Sequence, residues 1–292
     1  MGTSRATEMR RRLRERMARI ADPVLLPGAA NALAARVVEE CGFEAVYVTG
    51  AGIANTFLGV PDIGLGTLDE LVAHTEAIAD AVALPLVVDA DTGFGNAIGV
   101  MRTVRRLERA GASAIQLEDQ RFPKRCGHFE NKEVIDPEEA ASKISAAAEA
   151  RSDPNLVIIA RTDAAATEGL EAAVARARAY VGSGADAVFI EAPRSKEELV
   201  ALPGLLPGVP MVANLVEGGK TPLVPMDELS GFAFVLYANA ALQGAISGMR
   251  QVLVSLKDRG VLDSESVPLA RWDERQALVR KKEFDELESR FR

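Results

Sequence analysis

PLVVDAD (residues 85–91) and AIQLED (residues 114–119) are short apolar runs that each close on acidic residues, with a charged stretch of helical periodicity between them. The same unit recurs outward in both directions: VLLP around Val24, AVYVTG around Val46, VIIART around Ile158, AVFIEA around Val188, MVANLV around Val212 and FAFVLYAN around Val235. Near-continuous apolar strands alternating with helices mark a parallel sheet covered on both faces. Eight such units predict an α/β chain closed into a (β/α)8 barrel. An open doubly wound sheet is the other reading, but that fold normally carries a glycine-rich phosphate turn after its first strand, and PGAAN at residues 27–31 matches it poorly.

The carboxyl end of most runs carries polar residues: Thr49, Asp89 and Asp91, Glu118 and Asp119, Arg161 and Asp163, Glu191, Asn214, Asn239. In a barrel that rim is where an active site is built. One domain is expected over residues 1–292. Residues 1–22 form a charged N-terminal helix, packed outside the barrel or capping its bottom, and residues 23–240 supply the barrel. Residues 241–292 supply the last barrel helix and an amphipathic helical tail with Trp272, Leu278, Phe284, Leu287 and Phe291, which docks on its own barrel or on a neighbouring subunit.

With 292 residues, 48% of them hydrophobic and 26% charged, the chain can bury one large core. A formal charge of -8 argues against a nucleic-acid partner, which requires a concentrated basic surface. Acidity does not exclude anionic substrates, because a metal or an arginine can invert the local field. The basic run Arg10, Arg11, Arg12, Arg14 and Arg16 is not followed by an apolar segment, and no apolar stretch reaches membrane-spanning length. No membrane association and a cytoplasmic location are expected. Two cysteines, Cys41 and Cys126, give no disulfide framework.

Asp89 and Asp91, two apart on the third strand, should face the same way, with Glu118 at the end of the neighbouring run. Asp62 in GVPDIG could add a fourth carboxylate. An oxygen-only cluster suits a hard cation such as Mg2+, with Mn2+ as a substitute, and without a cation its carboxylates would repel. The alternative is that these acids cap helices or pair with rim cations. QRFPKRCGHFENKEVID (residues 120–136) has neither strand nor helix period and reads as a mobile lid. Within it Lys124, Arg125 and His128 surround Cys126, an electropositive setting that lowers a thiol pKa and makes it a candidate proton donor or acceptor. Cys41 reads as a buried, inert small residue, and His74 as a packing or surface histidine.

DADTGFG, LEDQ and KRCGH, together with GVPDIG, IARTDA, FIEA and NLVEGGKTP, resemble the signatures of the isocitrate lyase and phosphoenolpyruvate mutase superfamily across nearly the whole chain. The resemblance implies a TIM barrel whose last helix is swapped between subunits in a dimer of dimers, hence a homotetramer, with Mg2+ near Asp89, Asp91 and Glu118. It also implies that Tyr47, Thr49, Gly50 and Ala51 bind the 2-oxo-acid end of a small dicarboxylate, that Arg161 stabilises the oxyanion, and that Gly127, Glu191 and Asn214 line the pocket. The general base stays open: Tyr47, a substrate-bound water, or a role for Lys124 and His128 that only tunes Cys126.

Within that superfamily the cysteine of KRCGH favours carbon-carbon cleavage of a 2-hydroxy dicarboxylate resembling dimethylmalate or methylisocitrate, giving a 2-oxo acid and a carboxylate through an enolate. Phosphonomutase action on carboxyphosphonoenolpyruvate or phosphoenolpyruvate, oxaloacetate hydrolysis or decarboxylation, and a noncatalytic binding barrel are the alternatives. NLVEGGKTP is closer to the dimethylmalate lyase and oxaloacetate hydrolase group than to methylisocitrate lyase. The eighth strand ends in LYANAA, so Ala238, Asn239 and Ala240 depart from the usual Tyr-Pro-Leu.

Overall fold

β-Branched and aliphatic runs favour the pleated, two-sided burial of a central strand. The computed structural model forms a strand at each run: β1 Val24–Ala29, β2 Val46–Val48, β3 Leu86–Asp89, β4 Ala114–Glu118, β5 Val157–Thr162, β6 Ala187–Ile190, β7 Met211–Asn214 and β8 Phe234–Tyr237. All neighbours pair in parallel, and β8 closes on β1 through Val24 to Pro27 against Phe234 to Tyr237. The barrel is therefore closed, as expected. The structure describes residues 4–124, 132–219, 221, 223–263 and 266–292.

The helices are α1 Arg5–Met17, α2 Ala32–Glu40, α3 Gly50–Ile53, α4 Leu68–Ala81, α5 Ala97–Arg109, α6 Pro137–Ala150, α7 Ala164–Thr167, α8 Leu170–Gly182, α9 Lys196–Leu205, α10 Ala240–Arg259, α11 Trp272–Leu278 and α12 Lys281–Arg290. Several start at side chains that accept an orphan backbone N–H: Asn31 for α2, Thr67 for α4 in a capping box with Glu70, Asn96 for α5 and Ser195 for α9.

Period-2 alternation sorts the strands into two faces. Val46, Val48, Leu86, Val88, Ile115, Leu117 and Ile158 join the core beneath the helices. Leu26, Tyr47, Val87, Ala114, Ile159, Phe189, Val212 and Leu236 fill the barrel itself. Continuing that inward parity toward the carboxyl ends gives Asp89, Gln116, Glu118, Arg161, Glu191 and Asn214. The interior thus changes from apolar to charged along one axis.

Helix α1 caps the bottom of the barrel, deciding between the two placements open from sequence. Leu13 and Met17 belong to the interior cluster. The arginines flanking them clamp strand entrances: buried Arg10 donates Nε to the Ala112 carbonyl at 2.9 Å and pairs with Asp153 at 3.2 Å, and Arg14 pairs with Asp186 at 2.9 Å. Leu13→Ala should cost about 3 kcal/mol, because a fully buried leucine leaves a cavity that a closed barrel cannot collapse. Urea denaturation checks it, and a loss under about 1 kcal/mol would show that α1 is peripheral.

At the other end of the chain, α10, α11 and α12 contain no fully buried residue. They expose Met249, Leu253, Val254, Trp272, Phe284 and Leu287, with Phe291 exposed just beyond α12. Among the described residues no helix is long and apolar enough to cross a membrane.

Candidate active site

The carboxylates gather at the mouth by a route that differs from simple strand alternation. Strand β3 ends at Asp89, and Asp91 lies beyond it with φ 48°, in the left-handed region that short polar side chains tolerate best. Its backbone N–H donates to Asp89 Oδ1 at 3.2 Å, and Gln116 Nε2 reaches the same oxygen at 3.3 Å. Both acids face the turn after β2. A Cβ on Gly50 would stand 3.4 Å from Asp91 Oδ1 and 3.6 Å from Asp89 Oδ2, so a glycine lets this turn approach the carboxylates.

Lys124, 4% exposed, sits between acids: its Nζ lies 2.5 Å from Asp62 Oδ1 and 2.6 Å from Asp91 Oδ1. Burial opposes its charge, but Asp91, Glu118, Asp62 and Asp89 outweigh burial and hold its pKa above that of an ordinary lysine. Burial pushes the Asp91 carboxyl up to about 7 against the pull of Lys124. The expected four-carboxylate cluster is accordingly not closed around one point. Among the described residues no three His, Cys, Asp or Glu side chains stand at metal-holding spacing, and Asp62, expected as a fourth ligand, is an ion-pair partner of Lys124. Lys124, expected in the positive setting of Cys126, points into these carboxylates.

A hard cation still fits the donor chemistry of Asp89, Asp91 and Glu118. Glu118 Oε1 is buried and has no hydrogen-bond partner among the described residues. A cavity of about 30 Å³, room for one water or ion, is lined by Gly50, Asp62, Asp89 and Asp91. Beside it opens a cavity of about 700 Å³ that shares Asp91 and includes Thr92, Phe94, Phe122 and Lys124, large enough for a small diacid.

Strand register places Arg161 of β5 directly against Glu118 of β4. Its guanidinium, 5.1 Å over the Phe189 ring, forms two hydrogen bonds to Asp163, at 2.9 and 3.1 Å. Burial opposes the charge, but Asp163, Glu118 and Glu191 keep Arg161 firmly protonated. Across the mouth, Asn214 Nδ2 donates to Glu191 Oε2 at 3.2 Å, and Glu191 is wholly buried. Tyr47 lies deeper, 2% exposed and hydrogen-bonded by Gln116. Burial, reinforced by Asp89, raises its phenol pKa well above the ordinary value. Thr49 caps α3 by accepting the Gly52 N–H at 3.1 Å, with Gly50 and Ala51 opening that turn. Cys126, Gly127 and His128 lie outside the described residues.

The segment expected to be wholly irregular is pinned at both ends. Gln120 bridges Val134, Arg121 N–H donates to Glu133 O at 2.8 Å, and Ile135 N–H to Asp119 O at 2.9 Å. His74 packs, with Nδ1 at 2.9 Å from the Ala30 carbonyl and its ring against Phe57, whereas Cys41, expected to be buried, is exposed at the end of α2.

Three supporting groups escaped the sequence reading. Gln116 was detectable as a polar residue of inward parity inside AIQLED. Lys132, 2.6 Å from Asp163, and Tyr180, whose hydroxyl donates to Asp119 Oδ2 at 2.8 Å, had no local signal because their partners are distant in the chain. Tyr180→Phe removes one donor from a buried carboxylate that Thr162 and Arg176 also serve, and should cost about 2 kcal/mol in thermal denaturation. An unchanged melting temperature would mean that Asp119 is held without it.

Residues 13–257 match the model of a family described as phosphoenolpyruvate phosphomutase. The chain belongs to this family. It is 45% identical over 247 residues to a 2,3-dimethylmalate lyase of Eubacterium barkeri, covering 82% of this chain and 85% of that one. It is also 45% identical over 241 residues to a 2-methylisocitrate lyase of Aeropyrum pernix, covering 82% and 77%. A crystal structure of 2,3-dimethylmalate lyase, a PEP mutase/isocitrate lyase superfamily member, superposes with a TM-score of 0.89 at 35% identity, covering 99% of this chain and 96% of that one. The (β/α)8 architecture of this family member is thus that of a solved superfamily enzyme.

Proposed function

We propose that this family member is a metal-dependent carbon-carbon lyase that cleaves a small 2-hydroxy acid, a dicarboxylate of the dimethylmalate kind or a tricarboxylate of the methylisocitrate kind, to a 2-oxo acid and a carboxylate. The observation that carries the reading is a buried, charged Arg161 set against Glu118 at the mouth of the barrel, in a chain whose 45%-identical relatives are named 2,3-dimethylmalate lyase and 2-methylisocitrate lyase.

Asp89, Asp91 and Glu118 are the residues that would hold Mg2+, or Mn2+ in its place. When bound, the ion supplies Lewis-acid polarisation of the substrate's hydroxyl and carboxylate oxygens. Arg161 presents fixed positive charge where negative charge moves onto oxygen, and it needs no reorganisation because Asp163 and the Phe189 ring already orient it. Tyr47 donates a hydrogen bond to the oxo-acid end, with Thr49, Gly50 and Ala51 forming the turn that receives the carboxylate. Glu191, Asn214 and Gly127 line the distal side. Cys126 returns a proton to the carbanion, with Lys124 and His128 in supporting roles. Cys126→Ser should lower turnover about 100-fold with the fold intact, the scale of a weakened general acid; near-wild-type turnover would remove Cys126 from the chemistry.

Helix-swapped dimers paired into a homotetramer belong to the same proposal, supported by the apolar residues that α10 and α12 expose. A reducing, cytoplasmic setting is supported by the exposed free thiol of Cys41.

The test is a panel of dimethylmalate, methylisocitrate, isocitrate, citramalate, oxaloacetate and phosphonopyruvate, assayed for 2-oxo-acid release with Mg2+ and again with EDTA, with phosphorus NMR for the last. Metal-dependent release of a 2-oxo acid from a hydroxy diacid is the expected result. Conversion of phosphonopyruvate alone would move the chain to the mutase reading, which the family description favours.

A further inference from the structure

Three carboxylates compete for one guanidinium. Arg161 Nε donates to Asp163 Oδ2 at 2.9 Å and an Nη to Oδ1 at 3.1 Å, while Nε stands 3.4 Å from Glu118 Oε2 and an Nη 3.9 Å from Glu191 Oε2. All four side chains are buried, so each distance counts for more than it would in water.

Asp163 wins because it is fixed from other directions as well. It is wholly enclosed at the start of α7; its own N–H donates to Asp119 Oδ1 at 2.9 Å, and Lys132 Nζ reaches its Oδ1 at 2.6 Å. Glu118 keeps only a long contact to the arginine, and its Oε1 has no hydrogen-bond partner among the described residues. The alternative arrangement is close at hand. Turned from Asp163, the guanidinium could form a bidentate pair with Glu118, occupying both oxygens and placing fixed positive charge where a divalent cation would bind.

We infer that Asp163 is a positioning residue: it holds the Arg161 guanidinium off Glu118, keeping that carboxylate open to a divalent cation and the rest of the guanidinium open to substrate. The inference rests on the reading of Glu118 as a metal ligand. Lys132 serves it by neutralising the second half of the Asp163 charge, so that Asp163 can bind Arg161 without leaving an uncompensated buried carboxylate.

The experiment titrates the full-length protein with Mn2+ alone, without substrate, and reads free Mn2+ by electron paramagnetic resonance. Wild type is compared with Asp163→Asn, Arg161→Met and the double variant. Asp163→Asn should bind Mn2+ about tenfold more weakly, because the freed guanidinium now competes for Glu118. Arg161→Met should bind at least as tightly as wild type, and the double variant should recover to within about twofold of Arg161→Met, the sign of two groups acting through one contact. In turnover, excess Mn2+ should restore part of the Asp163→Asn rate, which it would not do for a variant damaged only in packing.

Wild-type Mn2+ affinity in Asp163→Asn, or a double variant as weak as that single variant, would overturn the assignment. Should Asp163→Asn be insoluble, Asp163→Ser, with space for water beside the guanidinium, takes its place with the same expected weakening. A wild-type protein that takes up no Mn2+ would be a different result, removing the metal reading itself.

Discussion

Arg161→Met should lower turnover by about 1000-fold, the scale of losing a preorganised charge aimed at a developing oxyanion. Methionine keeps an unbranched, flexible stem but ends short of the Cζ that lies over Phe189, so the change removes the guanidinium's charge together with its hydrogen bonds to Asp163. The side chain is buried and cannot be replaced by solvent, and among the described residues the lysines at this mouth are engaged elsewhere: Lys124 with Asp62 and Asp91, and Lys132 with Asp163. KM should move far less than kcat, since the interaction strengthens as charge develops. Steady-state release of 2-oxo acid from the substrate found in the panel measures both. A loss confined to KM would make Arg161 a ground-state binding group. Stability should also fall, by about 3 kcal/mol, because Glu118 and Glu191 lose their shared cation.

Gly28→Ala should prevent folding or cost well over 3 kcal/mol, at the upper end of what overpacking does. A Cβ on Gly28 would lie 1.9 Å from the Ala238 carbonyl oxygen and 2.6 Å from its carbon. The obstacle is backbone, so no rotamer change relieves it. Relief requires β1 and β8 to separate, and these two strands close the barrel through paired residues from Val24↔Phe234 to Pro27↔Tyr237. Soluble yield and thermal denaturation read the outcome, with Gly182→Ala as control because its added Cβ meets nothing within 4 Å. A folded Gly28→Ala barrel with wild-type stability would show that the end of β8 is free to retreat. The same contact ties the unusual Ala238 backbone to β1, which links the departure at residues 238–240 to the closure of the barrel as well as to its mouth.

Much of this arrangement was legible in the chain because period-2 parity is a local property. Once β3 to β7 are located, Asp89, Glu118, Arg161, Glu191 and Asn214 must share the inward face with Val87, Ala114, Ile159, Phe189 and Val212. The strand count, the closed barrel and the polar rim follow from runs of four to eight residues and the spacing between them, which is why the closed eight-stranded barrel was legible in the chain.

What parity does not encode is what happens just past a strand or between distant segments. Asp91 joins Asp89 through a left-handed backbone turn, not by lying on the strand. Lys124 reads in sequence as part of the positive setting of Cys126, with Arg125 and His128; only the fold brings Asp62 and Asp91 to its ammonium. The basic run of α1 gave no sign that Arg10 would reach the carbonyl of Ala112, 102 residues away. The local pattern of apolar and polar residues determined where each charged group starts. Which partner it takes was decided by the tertiary structure, because inside a barrel the free energy of a charge is set by whichever opposite charge the packing brings within a few ångströms.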